Sequence, residues 1–215
     1  MTDFAALREE MVVRQIAGRG IAGERLLEAM REVPREAFVP EALAPYAYDD
    51  SPLPIEAGQT ISQPYIVALM IEAAGIAPGG KVLEIGAGSG YAAAVMGRIA
   101  GEVIAIERHE ILATLAAERM ARLGYRNVRI VQGDGSTGWP DAAPYDAILA
   151  AASGSHVPDA LKHQLGPGGT LVMPIGEPHA IQHLVRVTRS GESFEQRELG
   201  AVRFVPLIGA EGWDL

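Results

Sequence analysis

The 215-residue chain contains no cysteine. Disulfides, thiolate metal sites and a cysteine nucleophile are therefore excluded. No apolar run approaches the roughly 18 residues that suggest a membrane span. Basic residues are outnumbered, with 18 Lys and Arg against 27 Asp and Glu and a formal net charge of −9. Affinity for a nucleic-acid backbone normally comes from cations that neutralise phosphates, so this balance argues against that partner. The opening Met1-Thr2-Asp3 is acidic and has neither the basic nor the apolar region of a secretory leader. Together with the missing cysteine, this sets the expectation of a cytoplasmic protein. The 25 glycines follow no three-residue period, which excludes a collagen-like fibre. With 48% hydrophobic and 21% charged residues the chain is too apolar to be disordered. It shows no internal repeat. Its length suits a single domain, 1–215.

Two textures divide the chain near residue 78. Phe4, Leu7, Met11, Val12 and Ile16 fall near helical spacing, and Leu26, Leu27 and Met30 resume it after Gly18, Gly20 and Gly23. This second helix is expected to stop at Val33-Pro34, because the residue before proline is driven from the α region. Residues 34–62 read as a long irregular loop containing five prolines, and a loop of that length inside a compact domain is usually functional. A helix is expected from Pro64, with Ser62 or Gln63 at its N-cap. From Gly79 the pattern alternates. Strands are expected at 81–85, 103–106, 128–131, 147–150 and 170–174, with helices at 91–99, 112–123 and 158–165. Such alternation specifies a doubly wound, mostly parallel α/β sheet. Residues 184–188 and 194–202 read as an antiparallel pair at its end.

The chemistry concentrates after the first of these strands, in Val82-Leu83-Glu84-Ile85-Gly86-Ala87-Gly88-Ser89-Gly90-Tyr91. Glycines here let the backbone approach a ligand at a sheet switch point. A dinucleotide fingerprint fails when started at Gly86, because Tyr91 occupies its last position. Started at Gly88 it passes only weakly, through Gly90 and Ala93. The pattern hydrophobic–acid–hydrophobic–Gly-x-Gly-x-Gly fits an S-adenosylmethionine site throughout, and Glu84 suits a cationic ligand. Glu107, some 20 residues on at the end of the next strand, is placed to accept from ribose hydroxyls. Asp134-Gly135 follows the third strand, where an adenine amino group needs an acceptor.

Several methyl acceptors are disfavoured by what is absent. Strand four leads into Ala150-Ala151-Ala152-Ser153-Gly154 rather than the Pro-Pro-aromatic motif of base amino-methylation. Cytosine C5 chemistry lacks its cysteine. His179 and His183 are four apart but in a strand-like context, so no metal is expected. A carboxylate acceptor needs no general base at neutral pH, since it is already ionised. The chain therefore permits a carboxyl methyltransferase, while a non-catalytic cofactor binder and a nicotinamide oxidoreductase remain as other classes.

The segment Thr60-Ile61-Ser62-Gln63-Pro64 resembles the Thr-Ile-Ser-x-Pro segment of the protein-L-isoaspartate (D-aspartate) O-methyltransferases. Arg35 to Pro40, Tyr48 to Pro54, Glu84 to Tyr91, Gly133-Asp134-Gly135, Gln164 to Gly169, Pro174-Ile175-Gly176 and Val202 to Leu207 are similar to that family as well. The resemblance spans about residues 5–210. It implies a Rossmann-like sheet of seven strands with an N-terminal helical and loop extension (1–78) beside the cofactor-binding core (79–215). It implies S-adenosylmethionine as cofactor, isoaspartyl-containing proteins and peptides as substrates, no membrane partner and a monomer. The methyl ester formed on the stray α-carboxylate closes to a succinimide, which hydrolyses partly to aspartate. The family's active serine corresponds to Ser62. Its cofactor residues correspond to Thr60, Ile61, Gln63, Glu84, Gly86, Ala87, Gly88, Ser89, Glu107, Arg108, Asp134, Gly135 and a late glutamine, Gln182. The chain departs from the family at Ala151, where threonine is usual, and at Ser155, where proline is usual, and this altered loop leaves as the alternative a carboxyl methyltransferase of the same scaffold acting on a different peptide or small-molecule carboxylate. His156 beside it is expected to be an exposed loop residue.

Overall fold

The computed structural model describes residues 2–214. A seven-stranded sheet is built from β3 (Lys81–Ile85), β4 (Glu102–Glu107), β5 (Val128–Gln132), β6 (Tyr145–Ala150), β7 (Leu165–Ile175), β8 (Gln182–Ser190) and β9 (Ser193–Val202), in the order β5-β4-β3-β6-β7-β8-β9. β3 to β7 run parallel; β8 and β9 return antiparallel. The chain enters at β3 and builds outward first to one side and then to the other. The switch point thus lies between β3 and β6, and loops at their C-terminal ends open a crevice there.

Burial explains why the central strands are apolar throughout. β4 is buried along all but its first residue and β3 along all but Lys81, because helices cover both faces. At the edge, β9 exposes most of its residues, which accounts for Glu195, Arg197 and Glu198 within a strand. The helix expected at 158–165 is shorter, Asp159–His163. β7 begins at Leu165 and runs through Gly166-Pro167-Gly168-Gly169, and its pairing with β6 shifts register across that stretch.

The N-terminal extension carries α1 (Phe4–Glu10), which winds without a break into a π-helical segment, Met11–Ile16, before Gly20 turns the chain at φ +97°. Met11, Val12 and Ile16 are fully buried, as their spacing predicts. α2 (Glu24–Glu32) ends at Val33, before Pro34. The expected irregular loop holds short 3₁₀ turns and a two-stranded ribbon, β1 (Leu53–Pro54) with β2 (Thr60–Ile61). α3 (Pro64–Ala74) then starts with proline in its first turn and ends at Gly75 in the left-handed region. One apolar cluster joins Met11, Phe38 and Ile61 of the extension to Val82, Val95 and Leu184 of the sheet domain. The ribbon is thereby fixed over the crevice. No described helix is long and apolar enough to cross a membrane.

Candidate active site

The crevice is a basin of about 830 Å³ at the C-terminal ends of β3, β4 and β6. That volume accommodates a nucleoside-sized ligand together with a side chain of a second substrate. Its floor is the turn after β3. Gly86 and Ala87 donate their N–H groups to the Ile106 carbonyl at 2.8 and 3.0 Å, which fastens the turn to the end of β4. Gly86 and Gly88 stand at φ +84° and +54°, a region where a side chain is strained, and the glycines keep the backbone open to a ligand.

Two acids face this floor. Glu107 accepts from Gly88 N–H at 2.8 Å and from His109 N–H at 2.9 Å, so its carboxylate is oriented by the turn it adjoins. Glu84 differs. It is 2% exposed, and its Oε2 is buried with no hydrogen-bond partner among the described residues. Burial, with the nearby negative charge of Glu107, pushes its carboxyl well above the usual range. A buried carboxylate oxygen without a donor is costly on its own and is satisfied by a cationic ligand. The donor set therefore fits S-adenosylmethionine: an orphan acid for positive charge, an oriented acid for hydroxyls and a glycine-rich turn for close approach.

Ser62 also lines the basin, between β2 and α3. The N-cap of α3 is Gln63, and no side-chain capping bond forms there. The capping role open to Ser62 on the sequence is thus absent, and no hydrogen bond of its hydroxyl is found among the described residues. Thr60, Ile61 and Gln63 line it too, with Gln63 Nε2 donating to the Asp50 carbonyl at 3.1 Å. Ala87, Ser89, Arg108 and Gly135 complete the predicted set in the basin.

Two predicted residues are placed elsewhere. Asp134 is not among the lining residues. Its Oδ1 accepts from Ser136 N–H at 2.8 Å and Ser136 Oγ at 2.7 Å, and its Oδ2 from Ala210 N–H at 2.7 Å. Partial burial alone would raise its carboxyl, but these donors outweigh it and hold the pKa below the ordinary value. Its carboxylate therefore straps the C-terminal segment to the domain. Gln182 is fully buried outside the basin. Its amide grips one residue from both sides, donating to the Phe204 carbonyl at 3.1 Å and accepting from Phe204 N–H at 2.7 Å. It acts as a clasp on the same segment.

That segment is what the residue patterns missed. Arg203 to Ile208 form a wall of the basin, pinned at Ser153, whose N–H donates to Val205 O and whose carbonyl accepts from Leu207 N–H, both at 2.8 Å. Arg203 is an exposed cation on this wall, and His179 joins the rim at φ +63°. Of the altered loop after β6, Ala151 and Ala152 line the basin. His156 is exposed outside it, as expected, and Ser155 Oγ lies 2.9 Å from its Nδ1. His183 pairs with Glu198 on the surface, away from His179.

Comparison with known proteins bears on this site. Residues 7–212 match the family described as protein-L-isoaspartate(D-aspartate) O-methyltransferase. The chain is 60% identical over 213 residues to protein-L-isoaspartate O-methyltransferase 1 of Rhodopseudomonas palustris (strain HaA2), covering 99% of this chain and 87% of that protein. It is 57% identical over 211 residues to the Methylorubrum extorquens (strain PA1) protein-L-isoaspartate O-methyltransferase, covering 98% and 92%. Among solved structures, one protein-L-isoaspartate O-methyltransferase superposes with a TM-score of 0.86 at 31% identity, over 95% of this chain and 67% of that one. A Plasmodium falciparum structure described as a beta-aspartate methyltransferase (PCMT) in complex with S-adenosyl-L-homocysteine gives 0.81 at 26% identity, over 97% and 99%.

Proposed function

The chain belongs to the protein-L-isoaspartate(D-aspartate) O-methyltransferase family, and from that premise we propose how its basin works. The enzyme uses S-adenosylmethionine to methylate L-isoaspartyl residues in damaged proteins. When bound, the cofactor supplies an electrophilic methyl group on a sulfonium. Glu84 would hold the cationic part of that ligand, and Glu107 would accept from its ribose hydroxyls. Gly86, Ala87, Gly88 and Ser89 give it a close backbone floor. Ser62 would donate a hydrogen bond from its hydroxyl to the α-carboxylate of the isoaspartyl residue and so orient the acceptor. It does not itself attack, because a carboxylate is ionised at neutral pH and needs no activation.

The observation that carries this reading is that Ser62 and Glu84 line one basin: a free hydroxyl for an anionic acceptor and an unpartnered acid for a cationic donor. Arg203 and Arg108 are the arginines on its lining and offset its acids toward an anionic substrate. The test uses methyl-labelled cofactor and two peptides identical but for one isoaspartyl or aspartyl linkage. Label is expected on the isoaspartyl peptide alone. Equal labelling of both, or labelling of neither by cofactor-loaded enzyme, would refute the assigned acceptor.

A further inference from the structure

Arg35 is the largest of the fully buried side chains, and the reaction as described does not use it. Its Nε donates to the Ala47 carbonyl at 2.7 Å, and its Nη2 donates to the Ser62 carbonyl at 2.8 Å. Its guanidinium carbon lies 4.7 Å from the centroid of the Tyr91 ring, which Phe38 meets edge-on at 5.5 Å. Nη1 is buried with no partner, and no ion pair to a carboxylate is found for this arginine among the described residues.

A buried cation without a carboxylate is a poor way to hold a fold together. An apolar side chain of similar length often serves stability as well or better. What arginine adds is geometry, since its planar fork sends donors in fixed diverging directions while its face stacks on an aromatic ring. Here those directions join three segments: the turn at Ala47, the backbone of Ser62, and Tyr91, which directly follows the glycine-rich turn. The serine on one wall and the turn on the floor share this one anchor.

We propose that Arg35 is the positioning residue for Ser62, fixing the serine backbone relative to the glycine-rich turn so that its hydroxyl meets the acceptor in line with the methyl. This rests on the role given to Ser62 above. Methyl transfer joins an anion and a cation into neutral products, so a purely electrostatic aid to the acceptor acts on its binding. Positioning acts on the rate of the bound complex.

The experiment is a double-mutant cycle on single-turnover methyl transfer to the isoaspartyl peptide at saturating cofactor, with Arg35→Lys, Ser62→Ala and the pair. Lysine keeps the charge but loses the fork. Arg35→Lys is expected to slow transfer by about tenfold or more, with cofactor affinity by calorimetry unchanged and no further slowing in the Ser62→Ala background. Equal slowing in both backgrounds, a matching loss of cofactor affinity, or no slowing would overturn the proposal while leaving Ser62 in place. A wild-type rate for Ser62→Ala alone would remove the serine's role and this proposal with it. If circular dichroism shows Arg35→Lys unfolded, Arg35→Met carries the same cycle. Failure of both to fold would assign Arg35 to the fold alone and overturn the proposal.

Discussion

Ser62→Ala is expected to lower the turnover of an isoaspartyl peptide by about a hundredfold, the size of effect that misalignment of a reacting group produces. Cofactor affinity should stay where it is. The division follows from the structure. The hydroxyl of Ser62 is committed neither to the helix cap, which falls to Gln63, nor to another described side chain, so its removal disturbs little of the fold. The cofactor's polar anchors, Glu84 and Glu107, lie on other elements. Rapid-quench measurement of the labelled peptide at saturating cofactor, with calorimetry of cofactor binding alongside, separates the two effects. A parallel loss of affinity and rate would place Ser62 in the cofactor site instead.

Glu84→Gln is expected to act in opposite directions on binding and on stability. The buried carboxyl of the ligand-free enzyme titrates above its unfolded value of about 4.3. With the folded value raised, its contribution to stability is fully present below the unfolded value and is lost as pH rises through the folded one. Glutamine has no charge to bury, so the ligand-free variant should melt higher than wild type near neutral pH. A cationic ligand favours the ionised form. Wild-type binding below the raised value should therefore release a proton, and affinity should increase with pH through it. The variant should show neither effect and should bind S-adenosylmethionine about ten- to a hundredfold more weakly, as expected when a close buried charge pair loses one member. Calorimetry in two buffers of different ionisation enthalpy measures affinity and proton release together. Equal affinity with no proton release in either protein would remove Glu84 from the cationic subsite.

The parallel core was legible because strands buried on both faces must be apolar throughout, and 81–85, 103–106 and 147–150 carry that mark. The glycine-rich turn was legible because its conformation is one that other residues adopt only under strain. The partners of Asp134 and Gln182 were not legible for a common reason. Each is engaged by a segment far along the chain, Ala210 for Asp134 and Phe204 for Gln182, and no local pattern records which polar group a returning segment will claim. The basin wall from Arg203 to Ile208 was missed as a wall by the same blindness. Its residues were noticed as a motif, but only the clasp of Gln182 and the pins at Ser153 bring them to the crevice. Ser62 was ambiguous in sequence because a serine before Pro64 fits a helix cap as well as a site; the observed cap falls at Gln63, so capping is not the role of Ser62. The π-helical turn at Met11–Ile16 has no distinguishing residue pattern at all.

Methylation by this enzyme starts the repair of a damaged linkage. The direct measurement incubates an isoaspartyl peptide with enzyme and methyl-labelled cofactor, then follows both label and linkage over time. A methyl ester on the stray α-carboxylate is lost when the neighbouring backbone nitrogen closes the succinimide, with methanol leaving. Label is expected first on the peptide and then in methanol, with aspartyl peptide appearing as isoaspartyl peptide declines. Label that stays on the peptide, or an isoaspartyl population that does not convert, would contradict the repair role.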